Sequence, residues 1–332
     1  MHYLDRDQIF LMPSDGVPTD GPFTRRWALE NGISERRLTA WIRNGLLCRP
    51  LPGVYHAAQV PDGLDLRISC LALVVPEDAV VTDNTAAWLW GAQRALLTGD
   101  HLAVPRVSMH RARPGYRLRN DLSVGGERTF LSSEVIDLGD IRVTSKLRTT
   151  CDLGRGRYRE PSFSAMDQMM AVADFGRDVL VAAANGRRYR GYRRVRQLRA
   201  LAPHVDARAQ SPGESVLRLR WIDCEDLPYP TPQVEVEGPR GKLYLDLGVP
   251  ELKYGAEYFG DEVHGPEQQA DDDDRLDWLR CRERWLVDVF RKDGVYGPRA
   301  DVEVRLRAGV AAARRRFGSL AWRGQPRNNP SR

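Results

Sequence analysis

No apolar run in this chain reaches the ~20 residues that a membrane-crossing helix needs. The best, Leu71-Ala-Leu-Val-Val75, stops at Pro76. The opening Met1-His-Tyr-Leu-Asp-Arg-Asp7 has no basic stretch leading into an apolar core, so it does not read as a signal peptide. Cysteine is sparse and scattered: Cys48, Cys70, Cys151, Cys224 and Cys281 include no pair at zinc-site spacing and no dense disulfide framework. The expectation is reduced thiols in a cytoplasm. His101 and His110 lack a companion at ligand spacing and receive no role. Together these absences point away from a membrane protein, a disulfide-stapled secreted scaffold and a zinc module.

What is present describes a soluble globular protein. The chain has 332 residues, 42% hydrophobic and 29% charged, enough for two or three domains with cores of their own. Its net charge of +5 is modest, yet the excess is uneven and rich in arginine, which favours a polyanionic partner. The expected fold class is α/β, α+β overall, in several modules.

Residues 1–22 carry two Pro/Gly/Asp-rich clusters, Pro13–Gly16 and Pro18–Pro22, and read as a flexible lead-in. Over 23–60 the pattern tightens. Thr24–Glu30 predicts a short helix, Asn31-Gly32 a turn, and Ser34 a cap for a second helix over Glu35–Arg43 that Asn44-Gly45 closes. Two helices across a short glycine turn are the helix-turn-helix signature, and Leu46–Tyr55 adds a strand pair that makes the unit winged. Leu38 and Ile42, four apart, are expected to face the core, with Trp41 at its edge. Arg36, Arg37 and Arg43 are then left for solvent or for double-stranded DNA, where arginine contacts phosphate or reads guanine edges.

Residues 61–184 predict a small α+β module with strand character over His101–Val107, Tyr116–Asn120 and Glu134–Val143. One amphipathic helix is expected over Met166–Ala184, with Met166, Met169, Met170 and Val172 in its core-facing stripe. Residues 185–210 form a basic arm. Within Arg187–Arg199 tyrosines alternate with arginines, so Arg187, Arg190, Arg193 and Arg194 suit a surface that tracks phosphates. The bland alternative packs Val195, Leu198 and Leu201 inward and leaves the arginines solvated.

Most of the chemistry falls in 211–316. Ser211-Pro212-Gly213-Glu214 opens a capped helix, in which Glu214 either closes a capping box or faces a cation, and the two are compatible. Gln233–Glu237, Tyr244–Gly248 and Leu252–Phe259 read as three strands, with Pro250 interrupting the ladder. Asp246 then lies near the end of one strand and Glu257 inside its neighbour. Two carboxylates on one face of adjacent strands can share a hard divalent cation, Mg²⁺ or Mn²⁺, which takes one or two carboxylates and completes its shell with water. Such an ion polarises a phosphodiester and lowers the pKa of a water. Lys253 or His264 would manage protons or phosphate charge. Gln268–Cys281 reads as a helix whose acidic run suits the helix dipole. A last helix over 299–316 puts Val302, Val304, Leu306, Val310 and Ala313 on its apolar side, and 317–332 reads as a disordered tail.

These motifs carry two resemblances. Gly213-Glu214-Ser215, Pro232-Gln233-Val234, Asp246, Glu257-Tyr258-x-Gly260 with His264, Asp274-Arg275 and Trp285–Phe290 resemble the very-short-patch-repair-like branch of the PD-(D/E)XK nucleases. That resemblance implies a restriction-endonuclease-like mixed sheet flanked by helices, with Asp246 and Glu257 as metal ligands and Glu214 in support. Three positions depart from the family pattern: Phe259 stands where an aspartate is usual, the lysine two residues after the glutamate is absent, and Arg284 replaces a glycine before the last strand. Thr24–Tyr55, Val81–Gly91 and Ile141–Gly154 resemble the AbiEi-type antitoxins, whose winged helix binds the operator of its own operon. The expected function is a cytoplasmic DNA-binding protein with a Mg²⁺-dependent endodeoxyribonuclease-like domain. The alternative is a non-catalytic AbiEi-type regulator with a degenerate nuclease fold, partnered by a cognate toxin or operator.

Overall fold

The computed structural model describes residues 9–92, 106–112, 123–239, 241–260, 274–297 and 300–317. The chain divides into two compact units, Met1–Asp152 and Leu153–Arg332, each with helices and sheet, so the class is α+β.

The first unit opens with a helix-turn-helix and a wing. The Thr24 hydroxyl accepts from Trp27 N at 3.0 Å and starts α1 (Arg25–Glu30). Gly32, at φ 80°, turns the chain, and Ser34 caps α2 (Glu35–Arg43). Three antiparallel strands, β1 (Phe23–Thr24), β2 (Leu47–Leu51) and β3 (Val54–Ala57), pair in the order β1-β3-β2. Their core reverses one expectation: Trp41 is fully buried at 0% exposure, whereas Ile42 is 37% exposed. The apolar stripe runs i, i+3 through Leu38 and Trp41, and the large ring fills the space under the sheet. The lead-in is also firmer than its composition implies. From residue 9 onward it is tied down by Leu11 and Val17, both buried in the same core, and Gln59 Nε2 donates to the Leu11 carbonyl at 2.7 Å.

Beyond the wing, α3 (Leu64–Ala72) and α4 (Asp83–Leu89) pack with a five-stranded sheet of order β6-β5-β4-β8-β7, namely β4 (Ala79–Val81), β5 (Val107–Arg111), β6 (Ser123–Val124), β7 (Val135–Asp137) and β8 (Arg142–Thr144). The stretch expected as one strand over Glu134–Val143 is a hairpin, β7 and β8, turned at Gly139 with φ 83°. His101 and Tyr116–Asn120 lie outside the described residues. α5 (Lys146–Gly154) presents Arg148, 1% exposed, into a buried polar cluster. Arg148 Nε donates to Asp152 at 2.8 Å and Nη1 to Glu134 at 2.6 Å. Arg128 bridges Asp152 and Asp83 at 2.9 and 2.8 Å. His110 Nδ1 lies 2.8 Å from the Thr82 hydroxyl, which also donates to Asp83. So Arg148, whose place near a helix start is compatible with phosphate contact, is consumed by the fold.

The second unit gathers α6 (Arg159–Ala171), α7 (Arg177–Asn185), α8 (Val195–Leu201) and α9 (Pro212–Asp223) beside a four-stranded sheet. The single helix expected over Met166–Ala184 is two, broken between Ala171 and Arg177, with Met166 and Met169 buried as expected. The sheet, β9 (Thr231–Gly238), β10 (Gly241–Val249), β11 (Tyr254–Phe259) and β12 (Leu286–Arg291), has the order β12-β11-β10-β9. Only the β11–β12 pair is parallel among its described neighbours, so the sheet is mixed. The π-type turn α10 (Trp278–Arg282) precedes β12, and α11 (Lys292–Val295) and α12 (Val302–Phe317) follow it. One apolar cluster joins α9 and α12 to Tyr254, Ala256 and Phe290; a second joins Val234, Val236, Leu245 and Val287 to Leu276 and Leu279. On α12, Val302, Leu306, Val310 and Ala313 are buried as expected, while Val304 is 71% exposed.

The polar cluster of the first unit gives it an acid sensitivity. Burial, with Arg128 next and against Asp83 and Asp152, pushes the His110 imidazole down from 6.5 to about 4. Between those values the unfolded chain binds a proton that the folded unit refuses, so this contribution to stability is lost as pH falls through the window. Urea midpoints measured from pH 7 to pH 4 should fall more steeply for wild type than for His110→Gln; parallel curves would refute the assignment.

Candidate active site

The site forms where the β10–β11 ladder opens. Pairing runs Val249 to Tyr254, Gly248 to Gly255 and Leu247 to Ala256, and the recorded register ends there. One step further along, Asp246 and Glu257 occupy the fork. Tyr258 N donates to Asp246 Oδ2 at 2.7 Å, and the Asp246 N–H in turn favours the charged form of Glu257. Each acid thus takes a backbone donor that an intact ladder would have used. Across β10, the register steps from Leu245–Val234 to Leu247–Pro232, and Gln233 between them sits at φ 51°.

Glu214 reaches the same place from the N-terminus of α9. Ser211 Oγ accepts from Glu214 N at 3.1 Å, one half of a capping box. The Glu214 carboxylate accepts from Gln210 N at 3.0 Å and from Gln233 Nε2 at 3.1 Å. The carboxylate thus takes the amide just before the cap residue, and it still lies near enough to the other acids to raise Asp246. Burial first, then the charges of Glu257 and Glu214, push the Asp246 carboxyl up to about 8. Burial raises Glu257 as well, and Arg275 pulls against it. The Arg275 guanidinium donates to Glu257 Oε2 at 2.7 Å and Oε1 at 3.3 Å, and to the Tyr244 carbonyl at 2.9 Å.

Among the described residues no three His, Cys, Asp or Glu side chains are gathered as a ready metal cage. The donor set nevertheless suits a hard cation. Asp246 and Glu257 offer carboxylate oxygens, and their mutual repulsion in a desolvated fork is the cost that a cation relieves.

Two Mycobacterium tuberculosis proteins from different strains, the uncharacterized proteins MT2308 and Rv2248, are each 30% identical to this chain over 271 residues, 79% of this chain and 94% of the relative. The chain belongs to the family of these mycobacterial proteins. The matched length exceeds either compact unit, so the family likeness takes in residues of both. No family model matches the chain.

In this family member the other expected site residues are dispersed. Lys253 precedes β11 at φ 45° and its ammonium donates to the Glu283 carbonyl at 2.7 Å, at the end of the strand away from Glu257. His264 lies outside the described residues. Phe259 packs against the apolar cluster under the sheet, with Arg291 6.0 Å above its ring. Arg284 adopts φ 63°, the left-handed region that favours glycine, at the position where the resemblance places a glycine. Gln233 and Arg275 were visible in the sequence only as parts of a motif. Nothing in their residue type announced that they would hold Glu214 and Glu257.

The arginines sort by exposure. Arg36 and Arg43 are exposed on α2. Arg37 lies 4.4 Å over the Trp41 ring and donates to Asp15 at 3.4 Å, so it belongs partly to the fold. Arg187, Arg190 and Arg193 are exposed, and Arg194 is half-buried at φ 58°. The expected arm is compact: Leu198 and Leu201 are fully buried, and Tyr189 is buried with Tyr192 edge-on at 5.6 Å. Arg155 lies over both tyrosine rings. Tyr189 therefore faces inward with Tyr192 half-buried against it, while Arg187, Arg190 and Arg193 stay exposed.

Gly213 is what lets α9 deliver Glu214. A Cβ there would stand 1.9 Å from the Tyr258 ring, well inside van der Waals contact, so either the ring or the helix start would have to move. Gly213→Ala should cost at least roughly 1–3 kcal/mol in urea unfolding of the second unit. Wild-type stability in that variant would show that the helix start is free to shift.

Proposed function

We propose that this chain is a DNA-binding protein, acting in the cytoplasm, whose second unit hydrolyses phosphodiester bonds with Mg²⁺ or Mn²⁺ held by Asp246 and Glu257. The observation that carries the reading is the convergence of Asp246, Glu257 and Glu214 in a desolvated fork, where each charge raises the cost of the next. A buried cluster of like charges is expensive for folding and useful to a cation. A cation bound there supplies Lewis acidity toward a phosphodiester and lowers the pKa of a nearby water. Asp246 is aimed by Tyr258 N, Glu257 by Arg275, and Glu214 by Gln210 and Gln233, so all three carboxylates are held before any ligand arrives. The order helix, three antiparallel strands, helical segment and parallel fourth strand supports the restriction-endonuclease-like reading. That no described helix is long and apolar enough to cross a membrane is compatible with it.

A second reading, a non-catalytic AbiEi-type regulator acting at an operator or on a cognate toxin, draws on two observations: Arg275 already balances Glu257, and Phe259 is packing where an acid is usual. The two readings diverge in the test tube. Under the nuclease reading Mg²⁺ should raise the melting temperature by mass action and plasmid should be nicked, and Asp246→Asn should abolish both. A wild type indifferent to Mg²⁺ in melting and cleavage would leave the regulator.

Duplex binding is expected from the winged helix in either case. Because arginine contacts release counterions, affinity should fall steeply with salt. The pair Arg36→Ala and Arg43→Ala should weaken binding several-fold with unchanged melting, and Arg37→Ala should lower the melting temperature as well. An unchanged Kd in the double variant would remove α2 from the interface.

A further inference from the structure

We propose that Arg275 is the resident counter-charge of the acid fork: it occupies Glu257 in place of a divalent cation and sets the cation concentration needed to displace it. This rests on the reading of Asp246 and Glu257 as cation ligands. The guanidinium engages both Glu257 oxygens, at 2.7 and 3.3 Å, in the two-point geometry that makes such pairs strong. The Glu257 side chain is only 2% exposed, so solvent screens the pair little.

The positive charge serves the fold while no metal is bound. Three carboxylates in a desolvated place repel one another, and Arg275 acts against that repulsion at Glu257 and at Asp246. The same charge opposes a cation. A guanidinium on the carboxylate that a metal must share weakens the metal's attraction by like-charge repulsion and takes up the oxygens it needs.

The side chain has somewhere to go. Arg275 also lines a cavity of about 500 Å³ with Pro239, Gly241, Lys242, Leu243 and Trp278. Its third bond, to the Tyr244 carbonyl, is to an acceptor outside the acid pair and does not depend on Glu257. Release from Glu257 therefore leaves the guanidinium with an acceptor and room.

The test is calorimetric titration of Mg²⁺ into the full-length protein without nucleic acid, comparing wild type, Arg275→Gln and Arg275→Lys, with thermal melts to establish that each is folded. Arg275→Gln keeps a donor for Glu257 and removes the charge, which guards against a misfolded alanine variant. It should bind Mg²⁺ at least about tenfold more tightly than wild type, or bind where wild type does not, while Arg275→Lys stays near wild type. Equal or weaker binding by Arg275→Gln, with wild type binding, overturns the counter-charge role and leaves the metal site standing. No binding by any of the three overturns both. A purely structural role would lower the melting temperature of both variants without separating their Mg²⁺ affinities.

Discussion

The second unit is organised around a conflict between like charges. Asp246 and Glu257 sit where two strands part, and Glu214 is brought against them by a helix start. Glu257 and Glu214 are buried and Asp246 is half-buried, and burial with mutual repulsion drives Asp246 up to about 8. Such a cluster persists only when the surroundings hold it in place. Here that support is polar and specific: a strand amide for Asp246, two glutamine-borne donors for Glu214 and a guanidinium for Glu257.

The scaffold is fitted to that requirement. α9 is buried along most of its length, with Val216, Leu217 and Trp221 against the sheet. On its other side Arg218, 1% exposed, donates from Nη2 to both carboxylate oxygens of Asp167 of α6 at 2.6 and 2.7 Å and lies 4.7 Å over the Phe163 ring. Breaking one partner of such a pair leaves a buried charge uncompensated, typically at a cost of roughly 3–5 kcal/mol. The helix that carries Glu214 is thus fixed from both sides, and the absent side chain of Gly213 sets how closely its start meets Tyr258.

Much of this was legible in the residues. Thr24 and Ser34 announced their caps because a hydroxyl before a helix has a fixed use, and both accept the expected N–H. Alternation located β9 to β11, and with it the neighbouring acids. Legibility failed where a choice depended on partners distant in sequence. Trp41 and Ile42 fit a helical stripe about equally well until Leu11 and Val17 close over one of them. Lys253 was a reasonable partner for the acids by chain distance, but the left-handed turn after Pro250–Leu252 sends it to the Glu283 carbonyl. The tyrosines of the basic segment read as a surface because their cover, Arg155, lies some thirty residues earlier in the chain. Arg275 was legible as a residue but not as a counter-charge, since its partner Glu257 is distant in sequence while acidic residues, Asp274 and Asp277, lie beside it in the chain.

The central claim is that the fork between β10 and β11 is a cation site held in balance by Arg275. Crystals of the full-length protein soaked in Mn²⁺ and measured for anomalous scattering address it most directly. The account predicts an anomalous peak in contact with carboxylate oxygens of both Asp246 and Glu257, with the Arg275 guanidinium no longer paired to both Glu257 oxygens. A saturating soak that leaves the fork without a peak and Arg275 still bidentate on Glu257 would contradict it.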